Sequence, residues 1–317
     1  MDGDEHGKLP PFPETNDPLG ETLHQLRLDG SLYCQSNLSG DWSLAMPALP
    51  GKMMFHIITE GECWLQIEGQ PAQLLKQRSL ALIPHGKGHV ISSNPELSPV
   101  PLFDAGLRQI SERYEILDIE GDGLTTRLTC GVMGFDQVAG RQLIEQLPAV
   151  LCVDRLEESC ESWLSSTLDF IACEASTLKP GGETIITHLA DILVIQLIRH
   201  WMEHSPQAGT GWVGALRDKH IGIALRAIHH KPSQRWTVDT LANECGMSRS
   251  GFSARFTQLV GKSVKYYLTE WRMRIAHQRL QLKTVPLIVL AEELGYTSEA
   301  AFSRAFKRVI GVSPGRV

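Results

Sequence analysis

The chain has 317 residues, 42% hydrophobic and 21% charged, with a net charge of −6. That length suits two domains that each bury a core, and the ordinary composition excludes a disordered or fibrous polypeptide. No uninterrupted apolar run reaches the roughly 18 residues of a bilayer-spanning helix, so no membrane segment is expected. The charge is unevenly spread: from Gly211 onward 17 Lys and Arg stand against 7 Asp and Glu, while the rest carries 13 against 29. A basic final third on an acidic chain fits a separable nucleic-acid-binding domain; an evenly solvated basic face is the plainer alternative.

Residues 1–20, acidic and proline-rich, lack the basic start and apolar stretch of a secretory signal. They read as the disordered tail of a cytoplasmic protein. The seven cysteines include no CxxC spacing, and in a reducing compartment most are expected as free thiols.

Residues 21–140 are a series of short β-rich runs: MMFHIIT, CWLQIEG, AQLLK, SLALIP, HVISS and RLTCGVMGF. Turn residues separate them at the spacing of an antiparallel sandwich or barrel. Strand alternation puts His56 on one face with Met54 and Ile58, and Cys130 on an apolar face with Leu128 and Val132. The stretch SLALIPHGKGHVISSN holds a PxGxxH pattern at Pro84, Gly86 and His89, and MFHIITEG lies upstream. Together they resemble the two motifs of cupins, in the right order. Arg78 stands where cupins carry a glycine, Met54 stands where the glutamate is expected, and the HxH pair is missing. The resemblance implies a barrel able to bind Zn or Fe, with His56 and His89 as first candidates and His85 as third. The alternative is that the three are buried, hydrogen-bonded histidines in a degenerate barrel.

Residues 141–203 have a helical pattern, clearest in ESWLSSTLDFIACEAST and TIITHLADILVIQLIRHWMEH. In the second, Ile186, Leu189, Leu193, Leu197 and Trp201 form an apolar stripe. It is read as the seam of a homodimer, with packing against the barrel as the alternative. A linker, HSPQAGTG, covers residues 204–211.

Residues 212–317 contain an internal repeat. Leu241, Ala242 and Gly246 recur as Leu290, Ala291 and Gly295; Phe252, Phe256, Gly261 and Ser263 recur as Phe302, Phe306, Gly311 and Ser313. Each copy reads as helix-turn-helix. In the first, a helix begins at Thr237 and stops at Gly246, and Ser248 caps a second helix whose Phe252 and Phe256 face inward. Arg249, Ser250, Ser253 and Arg255 are left outward. In the second copy Thr297 or Ser298 caps, and Glu299, Ser303, Arg304, Lys307 and Arg308 face out. Between the copies VKYYLTEWRMRIAHQRLQLK reads as one helix that would space the two units by about one DNA turn, roughly 34 Å.

The pattern LAxxxGxSxxxFxxxF, a linker helix, then GYTSEAAFSRAFKRVIGVSP resembles the DNA-binding domain of AraC/XylS-type transcription regulators. Such domains usually continue further past SPG than this chain does. The resemblance implies a two-domain α+β protein, a cupin-like sensor barrel followed by an all-helical DNA-binding domain. It implies double-stranded promoter DNA and RNA polymerase as partners, activation as the output and a small molecule or oxidant as inducer. SLYCQSNLSGDWSL, FHIITEG, IPHGKGHV and TRLTCGVMGFD also resemble the reactive-chlorine-responsive branch, which points to Cys34 and Cys130 as redox-sensing thiols. The plain alternative is that they are buried small hydrophobes. A metal-dependent cupin enzyme fused to a DNA-binding domain is the rival reading. The missing first-motif ligands argue against it.

Overall fold

The structure, a computed structural model, describes residues 28–135, 138–153, 166–167, 169–171, 173–174, 179–282 and 286–317. The expected tail and most of the expected helix over residues 161–177 lie outside the described residues. The N-terminal half holds β1 (Leu28–Ser39), β2 (Ser43–Met46), β3 (Lys52–Glu60), β4 (Glu62–Ile67), β5 (Gln73–Lys76) and β6 (Leu80–Ile83). It continues with β7 (His89–Ser92), β8 (Val100–Pro101), β9 (Arg108–Gln109), β10 (Tyr114–Ile119), β11 (Thr125–Phe135), helix α1 (Val138–Ile144) and β12 (Leu151–Val153).

These strands make two sheets, one in the order β12-β6-β3-β11-β1-β10-β9 and one in the order β5-β4-β7-β2-β8. Leu38, Met54, Ile58 and Leu128 of the larger sheet and Leu44, Leu65 and Ile91 of the smaller share one buried core. The opposite face of the larger sheet is also apolar, with Tyr33, Met53, Phe55 and Ile57 buried. β3 is therefore buried on both faces, because helices cover the outer one. The turn before β7 depends on Gly86: its φ is 60°, and a Cβ there would stand 1.9 Å from the Leu49 carbonyl oxygen. Arg78, at the position where cupins carry glycine, is the one non-glycine among the described residues with positive φ, at 67°.

Helix α2 (Gly182–His204) covers the outer face. By length and hydropathy, residues 184–204 would suffice to cross a membrane, contrary to the reading from uninterrupted runs. Their apolar stripe has a different use. Ile186, Leu193, Leu197 and Trp201 belong to the core shared with the sheet, so the stripe read as a homodimer seam is filled from within the chain. Ile185 and Ile192 remain exposed.

The helical half comprises α3 (Gly211–Arg217), α4 (Ile221–His230), α5 (Val238–Glu244), α6 (Arg249–Val260), α7 (Val264–Gln281), α8 (Leu287–Glu293) and α9 (Glu299–Ile310). Thr237 and Thr240 form a reciprocal capping box at the start of α5. Helices α6 and α9 are both capped by serine, Ser248 and Ser298, and both end at a left-handed glycine, Gly261 and Gly311. Phe252, Phe256, Tyr267 and Trp271 of the first unit join the core that runs back to the sheet, whereas Phe302, Phe306, Leu290 and Leu294 form a separate core.

Candidate nucleic-acid interface and barrel cluster

The outward residues of α6 and α9 follow from the position of their phenylalanines. With Phe252 and Phe256 buried, Arg249 and Ser250 are exposed and Ser253 is half-buried. With Phe302 and Phe306 buried, Glu299, Arg304 and Lys307 are exposed and Ser303 is half-buried. Ser248 and Ser298 are engaged in capping, accepting from the amides of Gly251 and Ala301. Arg249 lies 3.5 Å from Asp239 in an exposed pair, a weak restraint. Arg255, also outward and exposed, is paired within the chain. Its Nε donates to Asp218 at 2.9 Å, and Asp218 in turn accepts from the His220 and Ile221 amides at the start of α4. Burial alone would raise the Asp218 carboxyl; the hydrogen bonds from Arg255 and these amides outweigh it and hold it below its usual range.

Between the two units lies an open groove of about 680 Å³ whose charged lining is Arg235, Lys265, Arg272, Arg304 and Arg308, with no carboxylate. Of these, the sequence pattern places Arg304 and Arg308 on the outward face of the second recognition helix; Arg235, Lys265 and Arg272 lie outside the recognition helices, and only folding gathers them. Arg272 ties the units together. Its Nε donates to the Pro232 carbonyl at 2.6 Å and its Nη2 to the Gln234 carbonyl at 2.9 Å, while its guanidinium sits 5.7 Å from the Tyr296 ring centre. The turn of the second unit packs into the same place: a Cβ on Gly295 would lie 2.4 Å from the Ser233 oxygen.

In the barrel, register brings together residues far apart in sequence. Cys34 of β1 pairs with Cys130 of β11, and Cys130 pairs with His56 of β3. All three sit on the inner face. His89 of β7 approaches from the opposite sheet. His56 Nδ1 is 2.9 Å from the Cys130 sulfur, His56 Nε2 is 2.7 Å from His89 Nε2, and His89 Nδ1 is 3.0 Å from the Lys87 carbonyl oxygen. A carbonyl can only accept, so His89 Nδ1 carries a proton and His89 Nε2 accepts from His56 Nε2. His56 Nδ1 then accepts from the Cys130 thiol. That proton pattern is assigned from the network.

Burial, with His89 adding to it, holds His56 well below the usual histidine range. Burial lowers His89 too, against the bond to Lys87. Burial pushes the Cys34 thiol up to about 11, and it raises Cys130 well above the ordinary thiol value. At rest the cluster is therefore neutral. His85 does not join it: it donates Nε2–H to the Leu147 carbonyl at 2.9 Å, which corrects the expectation of three grouped histidines. His56 also turns its two nitrogens to different partners, so His56, His89 and Cys130 cannot hold one ion together in this arrangement. Among the described residues no group of three or more His, Cys, Asp or Glu has metal-holding geometry.

The two halves of the chain are in contact. Arg274 of α7 reaches Glu145, just after α1, at 3.2 Å. Within the helical half, the Tyr267 hydroxyl, on α7, accepts from Trp212 Nε1 and is hydrogen-bonded to His229 Nε2, both at 2.8 Å. Helix α1 follows β11, the strand of Cys130, after residues 136–137.

A sequence profile of the family described as Cupin matches residues 17–203, and one described as a helix-turn-helix domain matches residues 241–317. A Streptomyces lividans protein described as an AraC-like transcription regulator is 31% identical over 303 residues, covering 94% of this chain and 97% of that one. The transcriptional regulator AlkR of Acinetobacter baylyi is 31% identical over 307 residues, covering 94% and 97%. RclR of Escherichia coli K12, an RCS-specific transcriptional activator, is 25% identical over 305 residues, covering 94% and 96%.

Proposed function

The chain belongs to the AraC-type helix-turn-helix transcription regulators with an N-terminal cupin domain, and on that premise we propose that α6 and α9 enter successive major-groove turns of promoter DNA. The observation that carries this reading is the pair of serine-capped helices flanking a groove whose charged lining is all cationic. Ser250, Ser253, Glu299, Ser303 and Arg304 face base edges, and Arg249 and Lys307 meet phosphates. Arg235, Lys265 and Arg308 receive the backbone between the two turns. Arg255 acts by holding α6 against α4.

The protein activates transcription with RNA polymerase in response to an oxidant that reaches Cys34 and Cys130. The placement of both half-buried thiols side by side on the inner face supports an oxidant over a metabolite as inducer. The path to DNA runs from β11 through α1 to α7, along the Glu145–Arg274 contact. Its relatives are transcription regulators, so the fused-enzyme reading is set aside.

Arg304→Ala tests the DNA reading. It should weaken binding to the protein's own promoter by about 1–3 kcal/mol and relax sequence preference. Lys307→Ala should weaken all sequences alike and flatten the salt dependence. Promoter binding by Arg304→Ala as tight as the parent's would refute the placement of α9.

A further inference from the structure

We propose that the cationic groove between the two helix-turn-helix units reads the minor groove of the spacer DNA, the stretch between the two boxes that α6 and α9 recognise. It favours an A·T-rich spacer through groove width and electrostatic potential, with no base contact. The proposal rests on the placement of α6 and α9 in successive major-groove turns, and it adds a sequence preference at base pairs that neither helix touches.

On one face of B-DNA the minor groove, about 6 Å wide with a phosphate row on either side, lies between two successive major-groove turns. Whatever stands between α6 and α9 therefore faces that minor groove. Three exposed cations stand there on three separate elements: Arg235 just ahead of α5, Lys265 in the first turn of α7 and Arg308 in the last turn of α9. Among the described residues none of the three has a carboxylate partner, and the groove lining contains no carboxylate. Elsewhere in the same half Arg249, Lys262 and Arg279 are paired with Asp239, Glu270 and Glu293. Like charges gathered without a counter-charge repel one another, a cost that an anion seated in the groove relieves.

The other polar groups of the groove are already engaged. Thr237 caps α5, the Thr269 hydroxyl donates to the Lys265 carbonyl at 2.9 Å, and Trp236 Nε1 donates to the Lys231 carbonyl at 3.0 Å. Arg272 is held by the Pro232 and Gln234 carbonyls, and the Tyr296 hydroxyl is bonded to Arg272 and Thr269. The walls between these groups are apolar. A lining of cations and apolar walls has no donor and acceptor set with which to tell one base edge from another. It responds instead to the depth of the negative potential. That potential is deepest where the minor groove narrows, as it does in A·T tracts, whereas the guanine 2-amino group projects into the groove.

The test uses the full chain and its own promoter fragment, the boxes left intact. The spacer is replaced at constant length by A·T pairs, by G·C pairs, or by inosine·C pairs, which keep the major-groove edge of G·C but lack the 2-amino group. The A·T and inosine·C fragments should both be bound about fivefold more tightly than the G·C fragment. The triple change Arg235→Ala, Lys265→Ala and Arg308→Ala should shrink that difference to less than about twofold and lower the salt-dependence slope by about 2 to 3. It should still prefer intact boxes over scrambled ones, since the recognition helices keep their outward residues.

Inosine·C bound as weakly as G·C overturns the proposal, because the preference would then follow the major-groove edge. Equal affinity of the parent for all three spacers overturns it too, as does a triple variant that keeps the full spacer preference. In each of these cases a parent that discriminates intact from scrambled boxes leaves the placement of α6 and α9 standing. A parent indifferent to scrambled boxes takes both readings down.

Discussion

Replacing Arg272 with alanine tests whether the two helix-turn-helix units are held at a fixed spacing. The guanidinium donates to the Pro232 and Gln234 carbonyls at 2.6 and 2.9 Å and covers the Tyr296 ring. A hydrogen bond to a charged group is worth about 1.5–3 kcal/mol when buried. Arg272 is half-buried, so solvent reduces each bond to roughly half that, and the ring adds about 0.5–1 kcal/mol. The change should therefore cost about 3 kcal/mol, read from the urea midpoint. It should also loosen the second unit, whose core is separate from the first. Promoter fragments with both boxes intact should then be bound about tenfold more weakly, because the second contact loses effective concentration. A fragment with one box scrambled should be bound almost as by the parent. Equal losses on both fragments would make Arg272 a phosphate contact instead. A folded variant with parent affinity for the intact promoter would refute the bracing role.

Three further changes probe the fold. Leu193→Asp places a charge at a side chain 1% exposed in the shared core, and should cost several kcal/mol and unfold the N-terminal half; a folded monomer by sedimentation would instead revive the dimer seam. His229, stacked on Trp271 and held down to about 3 by burial, is neutral when folded. Its stabilisation is fully present above the unfolded value near 6.5 and is lost as pH falls towards 3, so moving from pH 6.5 to 5 should remove about 2 kcal/mol. Urea midpoints at the two pH values, compared with His229→Gln, read this; an equal pH slope in both proteins would refute it. Arg78→Gly relieves a left-handed φ of 67° and gives up an exposed ion pair with Asp169. It should raise stability by about 1 kcal/mol, seen as a higher thermal midpoint, and a lower midpoint would contradict the strain.

Local signals in the sequence were enough for the DNA-binding half. Serine caps, glycine stops and paired phenylalanines are set by near neighbours, so α6, α7 and α9 are legible from spacing alone. Strand alternation likewise placed Cys130 with Leu128 and Val132, and His56 with Met54 and Ile58. Register between distant strands is not local. That Cys34, Cys130 and His56 stand side by side, that His89 closes the line from the other sheet and that His85 turns away were settled only by tertiary pairing. The same holds for the groove cations, for the capture of Arg255 by Asp218, and for the apolar stripe of α2 being core. An amphipathic face tells that a side will be covered, because water is expelled from it. What covers it depends on which surfaces the rest of the chain leaves free, and here that was the outer face of the larger sheet, continuous with the first helix-turn-helix unit.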